Sequence, residues 1–391
     1  MKRHHLFTIN IVFVALMMFS AGMVYQFMTG NKPLAALSSF RKEAPMNVQT
    51  SDCSTKPVIN LTDAQSPYLR KLAVFQQACH SFAAGTMMIF VGMPTTDKNA
   101  VSAAQQDAAT LKEFAKYGVR PLVIAEPTDY VNDAQLDYAK FLPKNTYTRY
   151  IDMYFAELKK AGITEQQMGI WNPFPEANLP YWKNNKPEYF APNVNLYVSI
   201  LRKYFPTVPT SIMLNTATYE PTDFDWANGD YVSLLPYIKG IKPGTINYVG
   251  LQGFPWMPKQ GGNTNILNAA EFLNPTIISE AADYLKVKQV WLNTGTFSEK
   301  YALDPAAIAY LSPQQRKAIL ATISEQARTL QKRGYTVSVN MFTQDKSQAA
   351  EETNWSYWSN DDPFKSLAAP VLTDFIQGLD KQKIDLWLFD K

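Results

Sequence analysis

From Lys56 onward, short apolar or β-branched runs alternate with longer stretches in which apolar residues recur every three or four positions. The short runs are Val58–Leu61, Thr86–Val91, Val119–Ala125, Met168–Trp171, Ser211–Asn215, Ile246–Gln252, Gln289–Asn293 and Tyr335–Phe342, and they read as strands. The longer stretches read as helices, most clearly over Ala103–Tyr117, Tyr147–Ala161 and Pro313–Arg333. These three run into Gly118, Gly162 and Gly334, and glycine is the usual stop at a helix C-terminus. A final helix is expected at Leu367–Leu379. Eight alternations with helix-length crossovers predict an α/β fold of the (β/α)8 TIM-barrel type. An open doubly wound sheet is the alternative, but no Gly-rich phosphate loop follows any of the strands, so the dinucleotide fingerprint is missing. No repeat of fixed period is visible.

The chain before the barrel has a different pattern. Lys2 and Arg3 precede a mostly apolar run from Leu6 to Met28, long enough to span a bilayer core as a helix. Residues 1–30 are therefore expected to be an uncleaved signal anchor. The small residues Ser20, Ala21 and Gly22 leave a cleaved signal peptide as the alternative. Residues 31–56 are polar and read as a flexible tether, and residues 57–391 as the barrel. This organisation predicts a body outside the cytoplasm, membrane-anchored or secreted. Cys53 and Cys79 both follow the apolar run, and an even pair in an exported protein reads as a disulfide.

Composition narrows the chemistry. The chain has 391 residues, of which 46% are hydrophobic, 18% charged and 13% aromatic, with a formal net charge of +3. The apolar share excludes intrinsic disorder. So few charges, nearly balanced, make a poor nucleic-acid binder, because phosphate neutralisation needs clustered Lys and Arg. His80 is the only histidine beyond the first five residues. That leaves too few ligands for a zinc site and a single possible base for a Ser-His-Asp triad. No metal or organic cofactor is implied.

In a TIM barrel the working residues sit at the carboxyl ends of the strands. Those ends supply Glu126, the run Trp171 to Asn178, Tyr219-Glu220, Gln252 to Trp256, Asn293-Thr294-Gly295 and Asn340 to Asp345. Carboxylates, amides and aromatics dominate. Amides and carboxylates bind sugar hydroxyls, and aromatic rings stack on the C–H faces of sugars. A pair of carboxyls can hydrolyse a glycosidic bond unaided, one protonating the leaving oxygen while the other attacks or activates water.

The stretch WNPFPEANLPYW from Trp171 to Trp182 resembles the fourth-strand motif of glycoside hydrolase family 26, the β-mannanase family of clan A barrels, whose Glu is the acid/base. Four further pieces follow in the family's order. Pro121 to Pro127 is similar to its third strand, and Tyr231-Val232 with Asn247 to Phe254 to its sixth-strand region. Trp291 to Thr296 falls at its seventh strand, and Val339 to Phe342 with Trp355 and Trp358 resembles its last strand and the Trp after it. The resemblance spans most of Val58 to Trp358. It implies a retaining glycosidase with Glu176 as acid/base.

Three departures qualify that implication. Asn172 stands at the family's Arg, Pro175 at the His beside the acid/base, and Asn293 at the nucleophilic Glu. An amide cannot form a glycosyl-enzyme ester under ordinary conditions, so the retaining route does not carry over through Asn293. Either Glu299 in the following loop is the partner of Glu176, or a more distant carboxylate such as Glu220, Asp225 or Glu126 activates water, or the barrel binds a polysaccharide without cleaving it. Glu299 beside Lys300 also reads as a solvated salt-bridging residue.

The expected substrate-binding set is Glu126, Asn172, Tyr219, Trp256, Asn293, Trp355 and Trp358. Trp171 and Trp291, inside strands, are expected to be buried. The sequence thus predicts a glycosidase acting on an envelope or extracellular polysaccharide, with Glu176, Glu299 and Glu220 as catalytic candidates. The rival is a membrane-tethered polysaccharide-binding barrel that assists export or assembly. A third reading is a scaffold in an envelope complex.

Overall fold

The computed structural model describes residues 85–131, 134–176, 178, 183–184, 186–215, 233–253, 256–258, 264–266, 273–294, 313–342 and 370–389. The signal-anchor stretch, the tether, Cys53 and Cys79 lie outside the described residues. Among the described residues no helix is long and apolar enough to cross a membrane.

Eight parallel strands form the body: β1 (Thr86–Met93), β2 (Arg120–Asp129), β3 (Ile170–Pro173), β4 (Ser211–Asn215), β5 (Tyr248–Gly253), β8 (Gln289–Thr294), β9 (Thr336–Phe342) and β10 (Asp385–Phe389). A short antiparallel ribbon, β6 (Trp256–Pro258) with β7 (Thr264–Ile266), is inserted after β5. The helices are α1 (Asp97–Lys116), α2 (Tyr138–Lys144), α3 (Thr148–Lys160), α4 (Glu165–Met168), α5 (Pro187–Tyr204), α6 (Leu235–Ile238), α7 (Pro275–Leu285), α8 (Pro313–Lys332) and α9 (Pro370–Lys381).

Each body strand pairs with its successor along the chain, and β10 pairs with β1, Met88 opposite Phe389. The ring closes between β3 and β4 through a parallel bridge from Trp171 to Thr210, where the Trp171 N–H donates to the Pro209 carbonyl at 2.9 Å. This pairing is that of a closed (β/α)8 barrel. One strand differs from expectation. The place beside β1 expected for Val58–Leu61 is filled by β10 from the far end of the chain, and Val58–Leu61 lies outside the described residues. Glu176 therefore follows the third strand counted from Thr86, not the fourth. Asn293 still lies three strands further round, because both positions move together.

The three predicted helices form nearly as expected. Gly118, Gly162 and Gly334 follow them with φ of 68°, 80° and 89°, a region where a side chain would clash with its own backbone. Helix α1 is capped by Thr96, whose hydroxyl accepts the Asn99 N–H at 3.1 Å. It buries Ala100, Ala103, Ala104 and Ala108 with Leu111 and Phe114, a stripe of small residues that lets it lie close on the strands.

Two cores result. The outer core lies between strands and helices. The inner one fills the barrel with Met88, Leu122, Ile124, Ile170, Met213, Trp291 and Trp387. Trp291 and Trp387 meet there at 5.9 Å between ring centroids. Gly250 pairs with Trp291, and a Cβ on it would come within 2.2 Å of the indole, so a glycine is what makes room for the largest side chain inside the barrel. At the amino ends of the strands the Arg120 guanidinium lies 5.7 Å from the Trp387 ring and donates to the Thr86 hydroxyl at 3.0 Å.

Candidate functional site

Towards the carboxyl ends of the strands the barrel lining changes from apolar to amide. Asn215 pairs with Gln252, Gln252 with Asn293, and Asn293 with Asn340, so one register row across β4, β5, β8 and β9 carries four amides. All four are buried, Asn293 and Asn340 completely. They face inward, since the Nδ2 groups of Asn293 and Asn340 lie 3.8 Å from the sulfurs of Met213 and Met88 in the inner core.

Glu176 stands over this row. Asn215 Nδ2 donates to its Oε1 at 2.8 Å, and Gln252 Nε2 donates to the same oxygen. Asn293 Nδ2 donates to Gln252 Oε1 at 2.5 Å, and Asn340 Nδ2 donates to Asn293 Oδ1 at 2.7 Å. Asn178 anchors the near end. Its Nδ2 donates to the Asn215 carbonyl at 2.6 Å, and its Oδ1 accepts the Asn215 N–H at 2.8 Å, as a continuing strand would.

The backbone bends sharply to place Glu176 there. Phe174 and Glu176 have φ of 56° and 51°, a left-handed conformation that costs non-glycine residues of order 1–3 kcal/mol each. Packing of Phe174 holds the bend. Its ring is fully buried, 5.3 Å from Tyr138, 5.2 Å from Phe141 and 5.7 Å from Tyr197, and its N–H donates to the Ala125 carbonyl at 3.0 Å. Burial, and then the Glu176 charge, push the Tyr138 phenol well above the usual tyrosine range.

The sequence-derived candidates divide by place. Glu126 is buried in β2, on the adjacent strand end and two residues beyond the inward-facing Ile124. Asn172 pairs with Ile124 and is fully buried, with neither Nδ2 nor Oδ1 hydrogen-bonded among the described residues. Asn293 joins the amide row. Trp171 and Trp291 are buried, as expected, with indole N–H groups donating to the Tyr197 hydroxyl at 3.0 Å and the Ser211 hydroxyl at 2.9 Å. Trp256 begins β6. Tyr219, Glu220, Glu299, Trp355 and Trp358 lie outside the described residues.

The structure gives Asn178, Gln252 and Asn340, until then only members of strand-end runs, a role as hydrogen-bonding partners, and adds Asn215. A signal for three of them exists in the chain: an amide recurs near the end of four consecutive barrel strands. Among the described residues no group of three or more His, Cys, Asp or Glu could hold a metal ion.

No protein-family model matches the chain, and no curated protein does, so the likeness to glycoside hydrolase family 26 stays a resemblance. Solved structures give distant similarities. A fungal β-1,4-galactanase is 13% identical, over 73% of this chain and 83% of that one, with a TM-score of 0.45. A family 1 β-glucosidase from Thermotoga maritima is 11% identical, over 77% and 83%, with a TM-score of 0.45. The virulence factor SghA from Agrobacterium tumefaciens is 10% identical, over 79% and 86%, with a TM-score of 0.44. At these identities and scores the likenesses carry no argument about activity, and the barrel rests on its own strand pairing.

Proposed function

We propose that this chain is a glycosidase that acts on a polysaccharide at the carboxyl-end mouth of its barrel, with Glu176 as the working carboxylate. The observation that carries the reading is the convergence of Asn215 and Gln252 on Glu176 Oε1, on a strained turn over the barrel mouth. A carboxylate so placed is oriented for chemistry or for a sugar hydroxyl, beyond what a solvated loop residue needs. Among the described residues Glu126, on the adjacent strand end, is the candidate partner. In hydrolysis one carboxyl gives its proton to the glycosidic oxygen as that bond to the anomeric carbon breaks. The other takes a proton from the water whose oxygen forms the new bond. The N-terminal apolar run and tether favour action at or outside the cell membrane.

A second reading, binding without cleavage, draws on Asn293. Three strands beyond β3, where the resembled family has its nucleophile, the side chain is a buried amide engaged on both sides by Gln252 and Asn340. The test is incubation of the purified chain with β-mannans, glucans, xylans and the host's own exopolysaccharide, beside Glu176→Gln and Glu126→Gln. The glycosidase reading expects new reducing ends with the parent and a loss of at least about a thousandfold in Glu176→Gln. Turnover that survives Glu176→Gln removes the assignment. Glycan retention with no product from the parent favours the binding reading.

A further inference from the structure

The amide row has a direction. A carboxylate offers no proton, so both groups facing Glu176 Oε1 must present N–H. That sets Gln252 with Nε2 towards Glu176 and Oε1 towards β8, where only the Nδ2 of Asn293 complements it. Asn293 Oδ1 is thereby turned to β9 and takes the Nδ2 of Asn340. Each amide is fixed by the one before it. The far end carries the consequence: Asn340 Oδ1 is buried with no hydrogen-bond partner among the described residues. The thioethers of Met88 and Met213 lie beside the donors and accept too weakly to redirect them.

We propose that Asn340 is a positioning residue for Glu176. It acts through Asn293 and Gln252 by fixing the direction of a one-way donor chain that ends on the carboxylate. Aligned hydrogen bonds polarise one another, so a donor three residues removed strengthens the last contact. The proposal rests on Glu176 as the working carboxylate only for its effect on turnover. The arrangement itself is readable without any substrate.

The experiment is a titration of the full-length chain carrying carboxyl-13C glutamate, with the Glu176 signal assigned by its loss in Glu176→Gln. Asn340→Leu removes the far donor without adding a buried carboxyl, which would keep its own proton as Asp107 does and still donate. Asn293 Oδ1 then has no donor from β9, the Gln252 amide is free to turn towards it, and Gln252 Oε1 is left facing Glu176. The expected result is a Glu176 midpoint raised by about one pH unit, the scale of one charge-assisted hydrogen bond.

Asn340→Ala takes away the same polar groups with less bulk, so it keeps the test available should the leucine variant not fold. It is expected to give a similar rise. Repeating Asn340→Leu on a Gln252→Leu background cuts the chain, and the effect should largely vanish. An equal shift with and without Gln252→Leu would show an effect that does not run through the amides and overturn the proposal. So would an unmoved Glu176 in both Asn340 variants. Neither outcome depends on whether any glycan is cleaved, so failure here and failure of the glycosidase reading are separable.

Discussion

Asp107 on α1 is a buried carboxyl behind the strand that leads to Glu176. It accepts a hydrogen bond from the Tyr154 hydroxyl at 2.7 Å, and the Tyr154 ring lies 6.4 Å from Trp171 of β3, tilted by 58°. Burial pushes its pKa from 3.8 to about 7, with the Tyr154 hydrogen bond opposing part of that rise. The folded protein therefore holds a proton here that the unfolded chain has released. Between about pH 4 and pH 7 the unfolded state binds fewer protons, so stability falls as pH rises through this window and levels off above it. The full rise corresponds to roughly 4 kcal/mol.

Asp107→Asn keeps the shape and an acceptor for Tyr154 but cannot ionise. Relative to the parent it should gain roughly 2–4 kcal/mol between pH 4 and pH 8, on top of a pH-independent cost of about 1–3 kcal/mol for its unpaired amide N–H. Urea midpoints of both proteins across that range measure the difference, which should grow by roughly 0.5–1 M, because the urea slope of a large barrel is at or above about 3 kcal/mol per M. All other titrating groups are shared and cancel to first order. A midpoint difference that stays constant with pH would refute the reasoning, because it would show Asp107 ionised or solvated throughout.

Other substitutions probe the barrel and its mouth. Gly250→Ala, whose Cβ would come within 2.2 Å of the Trp291 indole, should destabilise by about 3 kcal/mol, read as a lowered urea midpoint; an unchanged midpoint would contradict the packing described. Asn172→Leu removes two buried polar atoms without partners among the described residues and should stabilise by about 1–3 kcal/mol. If Asn172 serves the ligand, the same variant loses glycan affinity in a pull-down, and stabilisation with full affinity would mark it as dispensable.

The fold was legible where the information was local. Apolar runs bounded by helix-length patterns mark β1 to β5, β8 and β9, and Gly118, Gly162 and Gly334 mark helix ends because a positive φ is a property of one residue and its neighbours. Which strand closes the ring is a different kind of fact. Val58–Leu61 and Asp385–Phe389 are both short apolar runs, and nothing in either says that it pairs with Thr86–Met93. The partner of Met88 is Phe389, about three hundred residues away, and such a pairing is selected by packing of the whole ring. A count of eight strands could thus be right while one of the eight was misplaced.

The site followed the same division. Counting outward along each strand leads to Glu126, Glu176 and Asn293 by residue type and position alone. The hydrogen-bonded set could not be read that way, because it depends on register between strands: Asn215, Gln252, Asn293 and Asn340 form a row only once β4, β5, β8 and β9 are paired. Register also changes what Asn293 means. Read singly, it is the place where a nucleophile is missing. Read in its row, it is a link between Asn340 and Gln252, and a glutamate there would present acceptors to both neighbours and end the donor chain to Glu176. Placing the resembled family's residue there by Asn293→Glu is therefore expected to disturb Glu176 rather than to complete a pair.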